Sequence, residues 1–114
     1  MTVDEDVRVE WHTGDRAALR GLFALAEDSA TRLDSYLRAG RVLVAVRAGE
    51  VVGHLLLVNA GTPGDLEIKN MAMRESLRGR GIGARLVRAA LDAAAVGSST
   101  RIVVAFRGFR RPVT

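Results

Sequence analysis

Apolar and polar positions alternate along Val7-Arg8-Val9-Glu10-Trp11, a period of two that predicts a strand. Asp15 follows as a predicted N-cap, and Leu19, Leu22, Phe23 and Ala26 then recur at helical spacing. A second short helix is predicted over 30–38, with Leu33 and Leu37 four apart and Gly40 at its C-terminal cap. Val42, Val44 and Val46 alternate along a strand, Ala48-Gly49-Glu50 supplies a turn, and Val51 to Asn59 returns as its hairpin partner. Gly61-Thr62-Pro63-Gly64-Asp65 reads as a loop, and Leu66 to Met73 as a strand apolar on both faces apart from Glu67, Lys69 and Asn70. A helix over 84–96 presents Leu86, Val87, Ala90, Leu91 and Ala94 on one face, and Gly97-Ser98-Ser99 ends it. Arg101 to Phe106 closes the pattern as a β-branched strand.

The predicted order is strand, two helices, three strands, helix, strand. The last strand-helix-strand is a parallel crossover and the hairpin before it is antiparallel, so the fold class is α/β with a mixed (α+β) sheet. One domain is expected over residues 1–106, with 107–114 as a short C-terminal tail. A chain of 114 residues suits one core. Hydrophobic residues make up 48% and charged residues 26%, ordinary for a globular chain. No apolar run reaches the ~20 residues of a membrane span, so no membrane partner is expected. The first residues, Met1 to Asp6, are acidic and lack an apolar stretch, so no export signal is read. The sequence has no cysteine, which removes disulfides, thiolate metal sites and a cysteine nucleophile. The expected location is cytoplasmic.

The formal charge of +4 is unevenly placed. Lys69 is the sole lysine, and Arg74, Arg78, Arg80, Arg85 and Arg88 crowd around one glycine-rich stretch. A local basic field attracts phosphates. The rest of the chain is near balance, and no nucleic-acid surface is expected.

That stretch is Arg78-Gly79-Arg80-Gly81-Ile82-Gly83-Ala84. Alternating glycines allow positive φ and leave backbone N–H groups uncovered. A strand leads in and a helix leads out, so the helix N-terminus points unpaired amides and a positive dipole end at the same place. The P-loop pattern is excluded because its Lys and Ser/Thr are missing. Gly79-x-Gly81-x-x-Ala84 fits the dinucleotide fingerprint on paper. That fingerprint normally closes the first strand of its domain and has an acidic residue ~20 positions on, where this chain offers Phe106 and Arg107.

Arg78-x-x-Gly81-x-Gly83 resembles the [QR]-x-x-G-x-[GA] signature of the GNAT superfamily of acetyl-CoA-dependent N-acyltransferases. Glu67-Ile68-Lys69-Asn70-Met71-Ala72-Met73 is similar to that family's central strand, and the element order agrees through Phe106. The resemblance implies a sheet that splays after the central strand, with pantetheine lying in the gap. Met71, Ala72 and Met73 would then pair with pantetheine through their main chain, and the Met71 N–H would stabilise the thioester oxyanion. Amides between Gly79 and Ala84, those of Gly81, Ile82 and Gly83 among them, would hold the pyrophosphate of acetyl-CoA, with Arg78, Arg80 and Arg85 adding charge.

It further implies direct transfer of acetyl to a small-molecule or peptide amine, for which a base is needed. Glu67 is the candidate, acting through a water from the same parity as Met71; its alternative is a salt bridge to Lys69 or an arginine. His54 is a second candidate base and, on its strand, equally a packed residue. The family's thiolate-protonating tyrosine sits on a helix after the last predicted strand, which has no counterpart here; Tyr36 is the only tyrosine. The match implies a domain lacking the final helix and closing strands, and the uncovered strand edge predicts a homo-oligomer, a dimer first. Two alternatives remain: a CoA-binding regulatory module without turnover, and an NAD(P) binder with Arg107 as its 2′-phosphate contact.

Overall fold

The protein is described by a computed structural model covering residues 6–97, 101–106 and 109–112, with the backbone alone for 105–106 and 109–112. The strands are β1 (Val7–Trp11), β2 (Arg41–Arg47), β3 (Glu50–Asn59), β4 (Asp65–Met73), β5 (Arg101–Phe106) and β6 (Phe109–Pro112). The helices are α1 (Arg20–Ala24), α2 (Ala30–Tyr36) and α3 (Ile82–Val96). One six-stranded sheet runs in chain order, antiparallel except for the parallel β4–β5 pair that α3 connects.

The first predicted helix is divided. Asp15 accepts from the Ala17 amide at 2.9 Å and opens a short 3-10 turn over Arg16–Leu19, from which α1 continues. A second 3-10 turn, Glu75–Leu77, stands between β4 and the glycine-rich stretch and has no signature in the apolar pattern. Ser29 caps α2 by accepting from Arg32. The hairpin turn is two residues, Ala48 and Gly49, both at positive φ (52° and 79°); Glu50 already belongs to β3. That geometry matches the right-handed twist of the strands it joins. Gly40 is required by space as well as by its φ of +54°: an added Cβ would fall 1.9 Å from the Leu57 carbonyl oxygen.

The sheet is covered on both sides, which is why β2 is buried at five consecutive positions, Val42 to Val46. Ile82, Leu86, Ala90 and Ala94 of α3 pack on one face against Leu55, Leu57 and Ile68. Leu19, Phe23, Leu33 and Tyr36 cover the other against Val44 and Leu56.

The expected bare tail at 107–114 is corrected. Phe109–Pro112 forms β6, pairing antiparallel with β5 from Phe106↔Phe109 to Val103↔Pro112. The return pairs the outer edge of β5 from Val103 to Phe106. Ser98, Ser99 and Arg107, read as a helix stop and a 2′-phosphate contact, lie outside the described residues.

Candidate functional site

The site begins with a change of partners along β4. On one side β4 pairs with β3 throughout; on the other it pairs with β5 only from Asp65↔Arg101 to Ile68↔Val104. Asp65, buried, accepts from Arg101 Nε at 2.9 Å and pins the base of this parallel pair. Lys69 is then an extra residue: Leu56 faces Asn70, while the next residue, Leu57, faces Ile68. This bulge bends the strand where β5 leaves it. From Asn70 to Met73, β4 has among the described residues a strand neighbour on the β3 side alone.

Main-chain groups alternate sides along a strand. The Arg74 amide donates to Val52 O on β3 at 2.8 Å. Ala72 therefore also faces β3, and the amides of Met71 and Met73 face the opened side. A strand edge with unpaired N–H and C=O groups, sheltered by a divided sheet, accepts an extended amide-bearing chain as an added strand does.

The opened edge leads into the glycine-rich loop. Gly79 and Gly81 have φ of 79° and 82°, and Gly81 is the N-cap of α3. The Arg85 amide returns to Gly81 O at 3.1 Å, which leaves the amides of Ile82, Gly83 and Ala84 without partners inside the helix. Gly83 lies close to Met73: a Cβ there would come 2.9 Å from Met73 Cε, the flexible end of that side chain. The N-terminus of α3 thus sits directly against the end of the opened strand. Arg78 and Arg80 are exposed beside it and Arg85 is half-buried, while Arg74 is engaged with Glu50 at 3.0 Å. This loop brings together three amides, two or three guanidinium groups and the positive end of a 15-residue helix. It is built for a polyanion.

Glu67 is elsewhere than expected. The bulge at Lys69 breaks the count of two, so the parity shared by Glu67 and Met71 does not put them on one face. Leu66, Ile68, Met71 and Met73 pack on the α3 side. Glu67, Asn70 and Ala72 point to the α1–α2 side, and Glu67 is 4% exposed. The Met71 side chain and the Glu67 carboxylate therefore lie on different faces of the sheet, while the Met71 amide points along its plane into the opening.

That second face carries a hydrogen-bonded chain that sequence reasoning missed. Asn70 Nδ2 donates to Phe23 O (3.1 Å) and to Tyr36 Oη (2.9 Å). Its Oδ1 accepts from His54 Nε2 at 2.6 Å. Tyr36 donates onward to Glu27 Oε1 at 3.0 Å. From His54 through Asn70 and Tyr36 the donors run one way and end on the Glu27 carboxylate, with a side branch from Asn70 to Phe23 O. The Ser29 amide, donating to Glu27 Oε2, holds the Glu27 carboxyl below its ordinary value against the opposing effect of burial, with Tyr36 and Arg32 adding to the lowering. The signal available in the sequence was two polar residues, His54 and Asn70, inside otherwise apolar strands.

His54 and Tyr36 are thereby removed from acid–base work. His54 is wholly buried, its ring stacked on Phe23 at 4.2 Å, and burial lowers its pKa to about 4, so it is neutral. Its Nδ1 has no hydrogen-bond partner among the described residues. Burial raises the Tyr36 phenol, whose proton is already given to Glu27.

Comparison with known proteins accords with this arrangement. The sequence model of the acetyltransferase (GNAT) family matches residues 7–107. An uncharacterized N-acetyltransferase, YvbK of Bacillus subtilis, is 32% identical over 90 residues, 79% of this chain and 57% of its own length. A Bacillus subtilis acetyltransferase solved in complex with CoA superposes with a TM-score of 0.76 at 31% identity, over 86% of this chain and 64% of that one. A GNAT family acetyltransferase from Elizabethkingia anophelis, solved with acetyl-CoA bound, gives 0.78 at 26% identity, over 88% and 65%. The chain thus spans less than two thirds of the length of each of these relatives.

Proposed function

The chain belongs to the GNAT acetyltransferase family, and we propose that it transfers an acetyl group from acetyl-CoA directly to a primary amine. The observation that carries this reading is the opened edge of β4 running into the amide-lined N-terminus of α3. The cradle suits the diphosphate of coenzyme A: its donors are backbone N–H groups and arginines, and its glycines sit at positive φ or where a Cβ would strike Met73. The relatives solved with CoA and acetyl-CoA support the same choice.

In this reading the amides of Gly79, Gly81, Ile82, Gly83 and Ala84, with Arg78 and Arg80, hold the diphosphate. The main chain of Met71, Ala72 and Met73 aligns the pantetheine arm. Acetyl-CoA supplies an acyl thioester already activated for transfer. The Met71 N–H donates to its carbonyl oxygen, where negative charge grows. The acceptor amine approaches from the α1–α2 face, and Glu67 takes its proton, directly or through a water. With no cysteine in the sequence, no thiol carries an acyl-enzyme.

One observation favours a second reading, a CoA-binding module with little turnover. Tyr36 is the only tyrosine in the sequence and its hydroxyl is committed to Glu27 and Asn70, so it does not protonate the departing thiolate. An NAD(P) site has no comparable support. Among the described residues no helix is long and apolar enough to cross a membrane, and a cytoplasmic location is our proposal. With β6 on the edge of β5, a dimer would form through β1 or β6 instead; a dimeric mass in light scattering at tens of micromolar supports it and a monomeric mass removes it.

The test is thiol release from acetyl-CoA with a panel of primary amines. Amine-dependent release that Glu67→Gln lowers by about 100-fold, the scale of a lost general base, with acetyl-CoA affinity unchanged, supports the enzyme. Tight binding without release by the unaltered chain supports the module.

A further inference from the structure

The opened half of β4 presents a mechanical problem. Main-chain pairing on both sides fixes an interior strand, but beyond the bulge at Lys69 β4 has lost β5. Its remaining strand neighbour, β3, is hydrogen-bonded to one edge only. The peptide joining Asn70 to Met71, whose N–H looks into the opening, lies at the start of this one-sided stretch.

Asn70 is the residue at which the loss is made good. Its side chain, on a residue 4% exposed, is tied to three separate elements: Phe23 O at the end of α1, Tyr36 Oη on α2, and His54 Nε2 on β3. Each tie is itself braced. The His54 ring stacks nearly parallel on Phe23 (8° between planes), and Tyr36 is anchored to Glu27, which the Ser29 amide holds in turn. Because both Nδ2 protons of Asn70 are donated, its Oδ1 must accept, which fixes His54 as the Nε2–H form. A leucine has the same branched outline, though a larger volume, and would make none of these bonds. The polar side chain in the core is thus explained by orientation, not by burial.

We infer that Asn70 is a positioning residue for acetyl transfer: through its three hydrogen bonds it holds the Asn70–Met71 peptide so that the Met71 amide faces the opened edge. This rests on the acetyltransferase reading above, in which that amide meets the thioester carbonyl. The Asn70 side chain is buried and bonded to Phe23, Tyr36 and His54, so in this reading it acts through the backbone. Its removal moves an amide whose alignment matters to a fraction of an ångström, and displacements of about 1 Å cost on the order of 100-fold in rate. The diphosphate cradle lies beyond Met73, on α3, and keeps its grip.

The experiment uses the full chain, with Asn70→Leu and, as a milder change, Tyr36→Phe, which removes one of the three ties. Acetyl-transfer kcat, the KM and calorimetric Kd for acetyl-CoA, and the 1H–15N spectrum of the chain without ligand are measured. For Asn70→Leu the inference expects kcat to fall about 100-fold, with KM and Kd within threefold of wild type. The Met71 amide should be a single sharp peak in the wild type and shifted or exchange-broadened in the variant, while the Gly81 and Gly83 amides stay in place. Tyr36→Phe should show the same split at a tenth of the size or less. If Asn70→Leu does not fold, the Tyr36→Phe split and its Met71 peak decide alone. An unchanged kcat in a folded variant, or kcat and Kd worsening together with all three amides moved, overturns the positioning role while leaving the acetyltransferase reading intact. Failure of the wild type to bind acetyl-CoA overturns both.

Discussion

Lowering the pH below neutral should cost this protein stability through one buried imidazole. His54 is buried and neutral, with its pKa lowered from the 6.5 of a free imidazole to about 4, chiefly by desolvation and against the opposing bond to Asn70. The unfolded chain takes up this proton near pH 6.5 and the folded chain does not until about pH 4. The unfolded state therefore binds more protons throughout that window, and stability falls as pH falls. At 1.36 kcal/mol per pH unit, the whole window is worth about 3 kcal/mol, about 2 of them between pH 6.5 and 5. The Glu27 carboxyl, lowered by its bonds to Ser29 and Tyr36, adds a loss of the same sign at lower pH, in the carboxylate range. The window above pH 5 thus separates His54 from Glu27. The assay is urea unfolding at constant ionic strength from pH 7.5 to 5, with His54→Leu as comparison. The variant leaves Asn70 Oδ1 without a donor and should start about 1–3 kcal/mol less stable at pH 7.5. It should nevertheless lose about 2 kcal/mol less than wild type between pH 6.5 and 5. Equal losses in the two proteins would refute the reasoning, because the titrating group would then lie elsewhere.

Gly40→Ala should destabilise by about 3 kcal/mol or more, since the new Cβ meets Leu57 O at 1.9 Å on a positive-φ backbone; a urea midpoint giving a loss under about 1 kcal/mol would contradict the packing described. Gly83→Val should cost about 1–3 kcal/mol in stability through overpacking against Met73. The same variant should weaken acetyl-CoA binding about tenfold or more, equivalent to about 1.4 kcal/mol, because Met73 is pushed toward the opened edge; calorimetry showing unaltered affinity would separate α3 from the cofactor path.

Much of the fold was legible because strand and helix periods are local properties. The valines of β2, the apolar face of α3 and the glycine-rich entry to that helix were readable from spacing alone. What escaped depended on contacts distant in sequence. The bulge at Lys69 adds a residue without a glycine to announce it, and it reversed the face of Glu67 relative to Met71. The hydrogen-bonded chain joins Phe23, Tyr36, His54 and Asn70 across separations of 16 to 47 residues, and only the fold assembles it. The strand at Phe109–Pro112 reads as an arginine-rich tail until β5 is seen to offer it an edge. The candidate phosphate cradle was legible because an anion site made from a loop and a helix start is contiguous in the chain; the hydrogen-bonded chain on the α1–α2 face is assembled from four separate elements and was not.

Calorimetric titration of acetyl-CoA into the purified chain, with NADPH as control and Gly81→Glu as the blocked variant, tests the central claim most directly. The account predicts saturable binding of acetyl-CoA, none of NADPH, and loss of acetyl-CoA binding when a carboxylate and an unfavourable positive-φ side chain enter the cradle at Gly81. A folded chain that binds no acetyl-CoA, or binds NADPH in its place, or binds acetyl-CoA equally well as Gly81→Glu, would contradict it.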